Sequence, residues 1–196
     1  MSPSERNPWT VLETRAIYEN PWISVVEHKV LTPRGTPGIY GVVSPKTVAL
    51  GVVPFTDDGR IVLVGQYRFT LGRYSWEIPE GGGEKGVPPQ ISLARELKEE
   101  TGYEASGWQE ILRLDLSNST SDETAVVYLA WGLKPGPAAP EETEELTVRH
   151  LPFGEAFELA MTGAITDAIS VASLMKLKLL AAQGMLPPEV LRHIKL

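Results

Sequence analysis

Gly81-Gly-Gly-Glu-Lys-Gly-Val-Pro-Pro-Gln-Ile-Ser-Leu-Ala-Arg-Glu-Leu-Lys-Glu-Glu-Thr-Gly-Tyr103 is the stretch on which the reading of this chain turns. Residues 90–101 read as an α-helix closed by Gly102, because a glycine just past the last helical residue takes up the left-handed conformation that ends a helix. At about 100° per residue, Glu96, Glu99 and Glu100 fall within about a third of the helix circumference. Ile91, Ala94, Leu97 and Thr101 fall opposite, on the face expected to meet the core. Three carboxylates therefore project from a helix anchored by its other side. The glycines before it read as a loop whose backbone N–H groups can approach an anion closely.

A cluster of glutamates is usually a solvated face, since in water neighbouring like charges cost only ~0.2–0.5 kcal/mol per pair. Enclosure changes the balance. Two carboxylates about 6 Å apart at an effective dielectric of about 20 repel by roughly 3 kcal/mol. An enclosed trio then needs a divalent cation or a proton, and all-oxygen donors favour magnesium or manganese over zinc.

Outward from this helix, residues 47–55 and 60–66 are strand candidates, and Asp57-Asp58-Gly59 between them carries the chemistry of a tight hairpin turn. The first 45 residues alternate as strands do, with Pro33, Gly35, Pro37 and Gly38 marking a turn. On the other side, residues 106–116, 124–132 and 146–151 read as strands, and 153–161, 167–183 and 187–194 as helices. Many strands, one mid-chain helix and a helical tail make an α+β fold, not a doubly wound parallel sheet.

A length of 196 residues is ordinary for one domain. Lys and Arg total 18 against 25 Asp and Glu, a net charge of −7, which argues against a general nucleic-acid binder. An acidic protein that handles an anionic substrate must supply local arginines or bound metal. The absence of cysteine excludes disulfides, thiolate zinc sites and cysteine nucleophiles, and fits a reducing compartment. No stretch approaches the roughly 18 apolar residues of a membrane helix, and the start, MSPSERNPW, lacks the layout of a secretory signal. The expected location is cytoplasmic.

The spacing is more specific than the charge. Arg95-Glu-Leu-Lys-Glu-Glu-Thr-Gly-Tyr103 matches the second half of the Nudix box at every fixed position, and Gly81 stands where the leading glycine of that box belongs. With Val64-Gly-Gln-Tyr-Arg68, Trp76-Glu-Ile-Pro-Glu-Gly-Gly82 and Ile165-Thr-Asp-Ala-Ile-Ser170, the chain resembles the Nudix hydrolases, in particular the ADP-ribose pyrophosphatase branch. One position departs. Val87 stands where the family carries a glutamate that pairs with the box arginine, so Arg95 must find another partner, with Glu99 and Glu84 the candidates.

The resemblance implies a Nudix-type α/β/α sandwich with a mixed sheet over residues 46–196, ending in a helical tail. It also implies an N-terminal antiparallel strand region over residues 1–45 that serves dimerisation. The implied activity is hydrolysis of the diphosphate bridge of ADP-ribose or a related nucleoside diphosphate sugar, giving a nucleoside monophosphate and a sugar phosphate. The implied cofactor is Mg2+, with Mn2+ as the alternative, held by Glu96 and Glu100 and by the main chain at Gly81 or a neighbour. Glu99 either completes the metal shell or holds Arg95, and both belong to the catalytic set. The base comes from the acidic run Glu141-Glu-Thr-Glu-Glu145, with Glu142 as base and Glu144 as helper, although acidic runs are usually solvated loops. Arg68 and Arg73 are candidates for phosphate or ribose oxygens, Trp76 and Tyr67 for stacking on a base, and Glu77 for the entry to the active-site loop. His28, His150 and His193 lack ligand spacing and read as structural or surface residues. The expected partners are a small nucleotide and a second copy of the chain, with neither nucleic acid nor membrane. Two readings compete: another nucleotide substrate (GDP-mannose, a dinucleoside polyphosphate, an oxidised nucleotide) and a catalytically weak nucleotide-sugar-binding module.

Overall fold

A computed structural model describes residues 6–139 and 145–194, so Glu142 and Glu144 lie outside the described residues. The chain divides into two compact units, Met1–Thr47 with Asp115–Thr124, and Val48–Leu114 with Ala125–Leu196. The first is a three-stranded antiparallel sheet of β1 (Thr10–Glu19), β2 (Ile23–Leu31) and β3 (Pro37–Pro45), with β2 in the middle. Asn20 shapes the β1–β2 turn, its side-chain oxygen accepting the N–H groups of Trp22 (2.9 Å) and Ile23 (2.8 Å). Residues 115–124 join this unit through the Val43 N–H, which donates to the Thr120 carbonyl at 2.9 Å, and the Ser44 hydroxyl, which donates to Asp122 at 2.8 Å. Every residue of β1 is exposed.

The second unit holds β4 (Thr47–Pro54), β5 (Arg60–Arg68), β6 (Arg73–Glu77), β7 (Glu80–Glu84), α1 (Pro89–Thr101), β8 (Tyr103–Asp115), β9 (Thr124–Pro135), β10 (Thr147–Pro152), α2 (Phe153–Met161), α3 (Ala168–Ala182) and α4 (Pro188–Leu191). Its strands form a four-stranded sheet in the order β7-β4-β9-β8, with β4 parallel to β9, and an antiparallel sheet in the order β10-β5-β6. β4 is apolar on both faces, as a strand covered from both sides must be. Leu50 and Val52 pack under Leu93 and Leu97 of α1. Gly51 points the other way, and a Cβ there would lie 3.0 Å from Ile169 of α3. The mixed sheet thus lies between α1 and α3, the α+β arrangement expected.

Three local expectations are corrected. The turn at residues 57–59 does not make a paired hairpin: β4 and β5 lie in different sheets and meet only at the bridge Phe55↔Ile61. The reason is that the Phe55 N–H is already given to Ala130, continuing the β4–β9 pairing (2.8 Å). The glycine-rich segment is not a loop but the edge strand β7. Glycine disfavours strands on its own, yet a Cβ at Gly83 would lie 2.5 Å from Leu50, so close packing selects it here. Finally, α1 buries Leu93, Leu97 and Glu100, whereas Ile91 is 63% exposed and Ala94 is exposed too. The two leucines supply the wider apolar stripe, and rotating it inward carries Glu100 with it.

Candidate active site

Pro89 opens α1 at a position where a missing N–H loses nothing, and Gly102 closes it at φ 76°, its N–H donating to the Lys98 carbonyl at 2.8 Å. Residues 136–138 lie against that end so closely that a Cβ on Gly102 would strike the Gly136 carbonyl. The Ala139 N–H then donates to the Glu99 carbonyl at 2.9 Å. Ala139 is thereby held at the acidic turn of α1.

On the helix, Glu100 is only 2% exposed, and Glu96 and Glu99 are partly buried. Arg95 donates to Glu96 Oε1 at 2.6 Å and to Glu99 Oε2 at 2.9 Å. The partner that Val87 cannot supply comes from the helix itself, and Glu99 is one of the two residues expected to provide it. Across from α1, the bare main chain of Gly81 lies directly under the Glu96 carboxyl, in space that a Cβ would fill. Strand and helix thus meet here through a carboxylate on bare backbone.

The donors gathered at this seam are carboxylate and main-chain oxygens, the chemistry of a hard divalent cation. In kind the residues fit such an ion. Among the described residues no three Asp, Glu or His side chains stand together as a ready-made cage, and Arg95 holds two of the three carboxylates.

Beside this seam lies a second polar cluster. Glu77 is 2% exposed, and Arg68 meets it with Nε at 3.0 Å from both carboxylate oxygens and Nη2 on Oε2. The pairing pushes the Arg68 guanidinium above its ordinary pKa, chiefly through those hydrogen bonds. Glu80 is held well above the usual carboxylate range, first by burial, then by the charge of Asp167 and a hydrogen bond with it, and then by the charge of Glu77. The Ser170 hydroxyl donates to Glu80 at 3.2 Å. Arg73 is exposed, with one guanidinium nitrogen on the Thr166 hydroxyl at 3.0 Å. Trp76 meets Tyr74 edge-on at 5.6 Å and lies under the Arg149 guanidinium, 5.2 Å from its ring centre. A cavity of about 340 Å³ opens nearby on the same hairpin, lined by Gln66, Tyr67, Tyr74, Glu145 and Thr147.

The residues singled out from sequence thus form two neighbourhoods, Gly81, Arg95, Glu96, Glu99 and Glu100 in one, and Arg68, Arg73, Trp76 and Glu77 on β5 and β6. Sequence reasoning missed Glu80, Asp167 and Ser170. Their signal was present, an acid three residues after Glu77 and an Asp three residues before a Ser at a helix start. Of the histidines, His28 bonds Thr14 at 2.8 Å and His150 bonds Tyr103 at 3.0 Å.

Comparison with known proteins agrees with this geometry. A NUDIX domain model matches residues 45–172, and a nucleoside diphosphate sugar hydrolase N-terminal domain model matches residues 9–43. An ADP-ribose pyrophosphatase of Mycobacterium tuberculosis is 40% identical over 130 residues, 65% of this chain and 63% of that protein. The chain thus spans a little under two thirds of that relative's length. An ADP-ribose pyrophosphatase of Bacillus subtilis and a methanol dehydrogenase activator of Bacillus methanolicus are each 35% identical over 133 residues, 67% of this chain and 72% of each relative. A crystal structure of an ADP compounds hydrolase superposes with a TM-score of 0.80 at 22% identity, covering 91% of this chain and 97% of the other. With the second half of the box on α1, Gly81 seated against it, and a family model spanning most of the chain, this protein belongs to the Nudix family.

Proposed function

We propose that this chain is a magnesium-dependent pyrophosphatase acting on ADP-ribose or a related nucleoside diphosphate sugar, with manganese as the alternative metal. The observation that carries the reading is the seam between α1 and β7, where Glu96 lies on the bare main chain of Gly81 with Glu99 and Glu100 beside it. The relatives' names and the N-terminal domain match support the substrate class.

Glu96 and Glu100 would hold the metal, with Glu99 and the main chain at Gly81 as further oxygens. When bound, the ion neutralises diphosphate charge and acidifies a water molecule. Arg95 keeps Glu96 and Glu99 oriented along the helix. Arg73, with its guanidinium exposed, binds a phosphate or ribose oxygen, while Arg68 is fixed by Glu77 and braces the hairpin that carries them both. Trp76 and the cavity lined by Tyr67 and Tyr74 take the base or sugar. Glu142 takes the proton of the attacking water and Glu144 assists it. The bond from Ala139 to the Glu99 carbonyl supports this, because Ala139 is two residues before Glu141 in sequence. The N-terminal sheet is the dimerisation element, its outer strand β1 presenting Val11, Leu12, Ile17 and Tyr18 to solvent.

The test is turnover on a panel of ADP-ribose, GDP-mannose, a dinucleoside polyphosphate and an oxidised nucleotide, with magnesium and with chelator. ADP-ribose should lead the panel, and EDTA or Glu100→Gln should abolish turnover. Preference for another nucleotide redirects the substrate. A chain that binds ADP-ribose without hydrolysing it supports the binding-module reading, against which the intact acid helix weighs.

A further inference from the structure

Ile165-Thr-Asp-Ala-Ile-Ser170 has no part in the metal face, the base or the substrate contacts, yet its residues reach three points of the site. Asp167 caps α3 by accepting the Ser170 N–H at 2.7 Å. The Ser170 hydroxyl, freed from local capping, turns away from its own helix, accepting the Ile78 N–H at 2.9 Å and donating to Glu80 at 3.2 Å. Thr166 receives Arg73 at 3.0 Å. The start of α3 and the residue before its cap are thereby tied to residues 73, 78 and 80. Pro79, between the last two, has no N–H, so this corner has few backbone donors to hold it. Its carbonyl accepts the Val52 N–H at 2.9 Å, which fixes the corner from the β4 side while Ser170 fixes it from the other. Gly81 follows directly.

We propose that Ser170 is a positioning residue: its buried hydroxyl holds the corner at residues 78–80 and thereby seats the main chain of Gly81 against Glu96. The inference rests on the metal-dependent reading above. Ser173 sets the comparison. It is one turn further along α3 and, like Ser170, 0% exposed, but its hydroxyl has no hydrogen-bond partner among the described residues. Burial of a serine on this helix is therefore separable from the use made of it.

The experiment compares the parent with Ser170→Ala and Ser173→Ala in the full-length chain. Mn2+ affinity is measured by calorimetry without substrate, amide exchange at residues 78–81 by deuterium labelling, and the half-saturating magnesium concentration by turnover. Ser170→Ala should bind Mn2+ about tenfold more weakly, as loss of a supporting contact behind a metal site does, and its half-saturating magnesium should rise in step. Amide exchange at residues 78–81 should quicken, while nucleotide KM at saturating magnesium stays at the parental value. Ser173→Ala should match the parent in all of these. A folded Ser170→Ala with parental Mn2+ affinity overturns the proposal, as does an equal loss in Ser173→Ala. If Ser170→Ala does not fold, Asp167→Ala, which releases the same turn, should weaken Mn2+ binding in the same direction, and parental affinity there overturns it. A parent that binds Mn2+ but hydrolyses no diphosphate sinks the enzymatic reading alone, since calorimetry still reads Ser170. A parent that binds no Mn2+ sinks both.

Discussion

Gly81 and Glu80 are neighbours in sequence and face opposite ways, and each yields a test. A methyl group at Gly81 would meet the end of the Glu96 side chain, which can swing aside. Gly81→Ala should therefore cost no more than about 1 kcal/mol of stability in urea titration, the scale of a tolerated strand substitution. Its magnesium-dependent turnover should nonetheless fall by about a hundredfold, because the displaced group is a proposed ligand. Glu80 gives a pH dependence in metal-free buffer. Its folded-state pKa lies above its unfolded one, so it binds its proton more tightly when folded. Its contribution is fully present below the unfolded value and is lost as pH rises through the folded one. Glu80→Gln carries no such proton, so thermal melts should show the variant gaining on the parent from acid toward neutral pH. Parallel melting curves at all pH values would refute the shift.

At the scale of elements, α1 depends on its leucine stripe and on its C-terminal glycine. Leu97 is fully buried between helix and sheet, and Leu97→Ala should cost about 2–5 kcal/mol, read from urea midpoints. Gly102→Ala should cost more than the ~1 kcal/mol of left-handed strain alone, because its Cβ meets a rigid backbone carbonyl rather than a flexible side chain. The sequence made this helix legible because its period, its closing glycine and its box all agree. It did not reveal which face was inside, since Ile91 and Ala94 are as apolar as a core position requires and only packing against Leu50 and Val52 decides for Leu93 and Leu97. β7 was hidden for the opposite reason, because glycines carry no strand signal until a neighbour demands their absence of bulk. The clamp at Ser170 was equally out of reach, as its partners Ile78 and Glu80 lie about ninety residues away and no local pattern links them.

For the whole molecule, a net charge of −7 argues against a general nucleic-acid binder, and among the described residues no helix is long and apolar enough to cross a membrane. The N-terminal unit is the part we propose to serve dimerisation. Its outer strand is exposed along its whole length, and an unpaired apolar edge of this kind invites pairing with another copy. Light scattering at micromolar concentration should give twice the chain mass for the parent. Replacing both Leu12 and Ile17 with lysine should shift the population to the single-chain mass. A parent that is already monomeric removes the N-terminal sheet from the proposed assembly.

The three glycines of β7 have a practical corollary for anyone who wishes to change what this protein acts on. A floor made of naked main chain offers no side chains to vary, and any atom added at Gly81 or Gly83 intrudes on Glu96 or Leu50. Diversity has to be introduced elsewhere, on the β5–β6 hairpin at Gln66, Tyr67, Arg73 and Tyr74, where the side chains are exposed or only partly covered. Libraries confined to those positions should alter preference among nucleotides while leaving the reacting end of the site untouched.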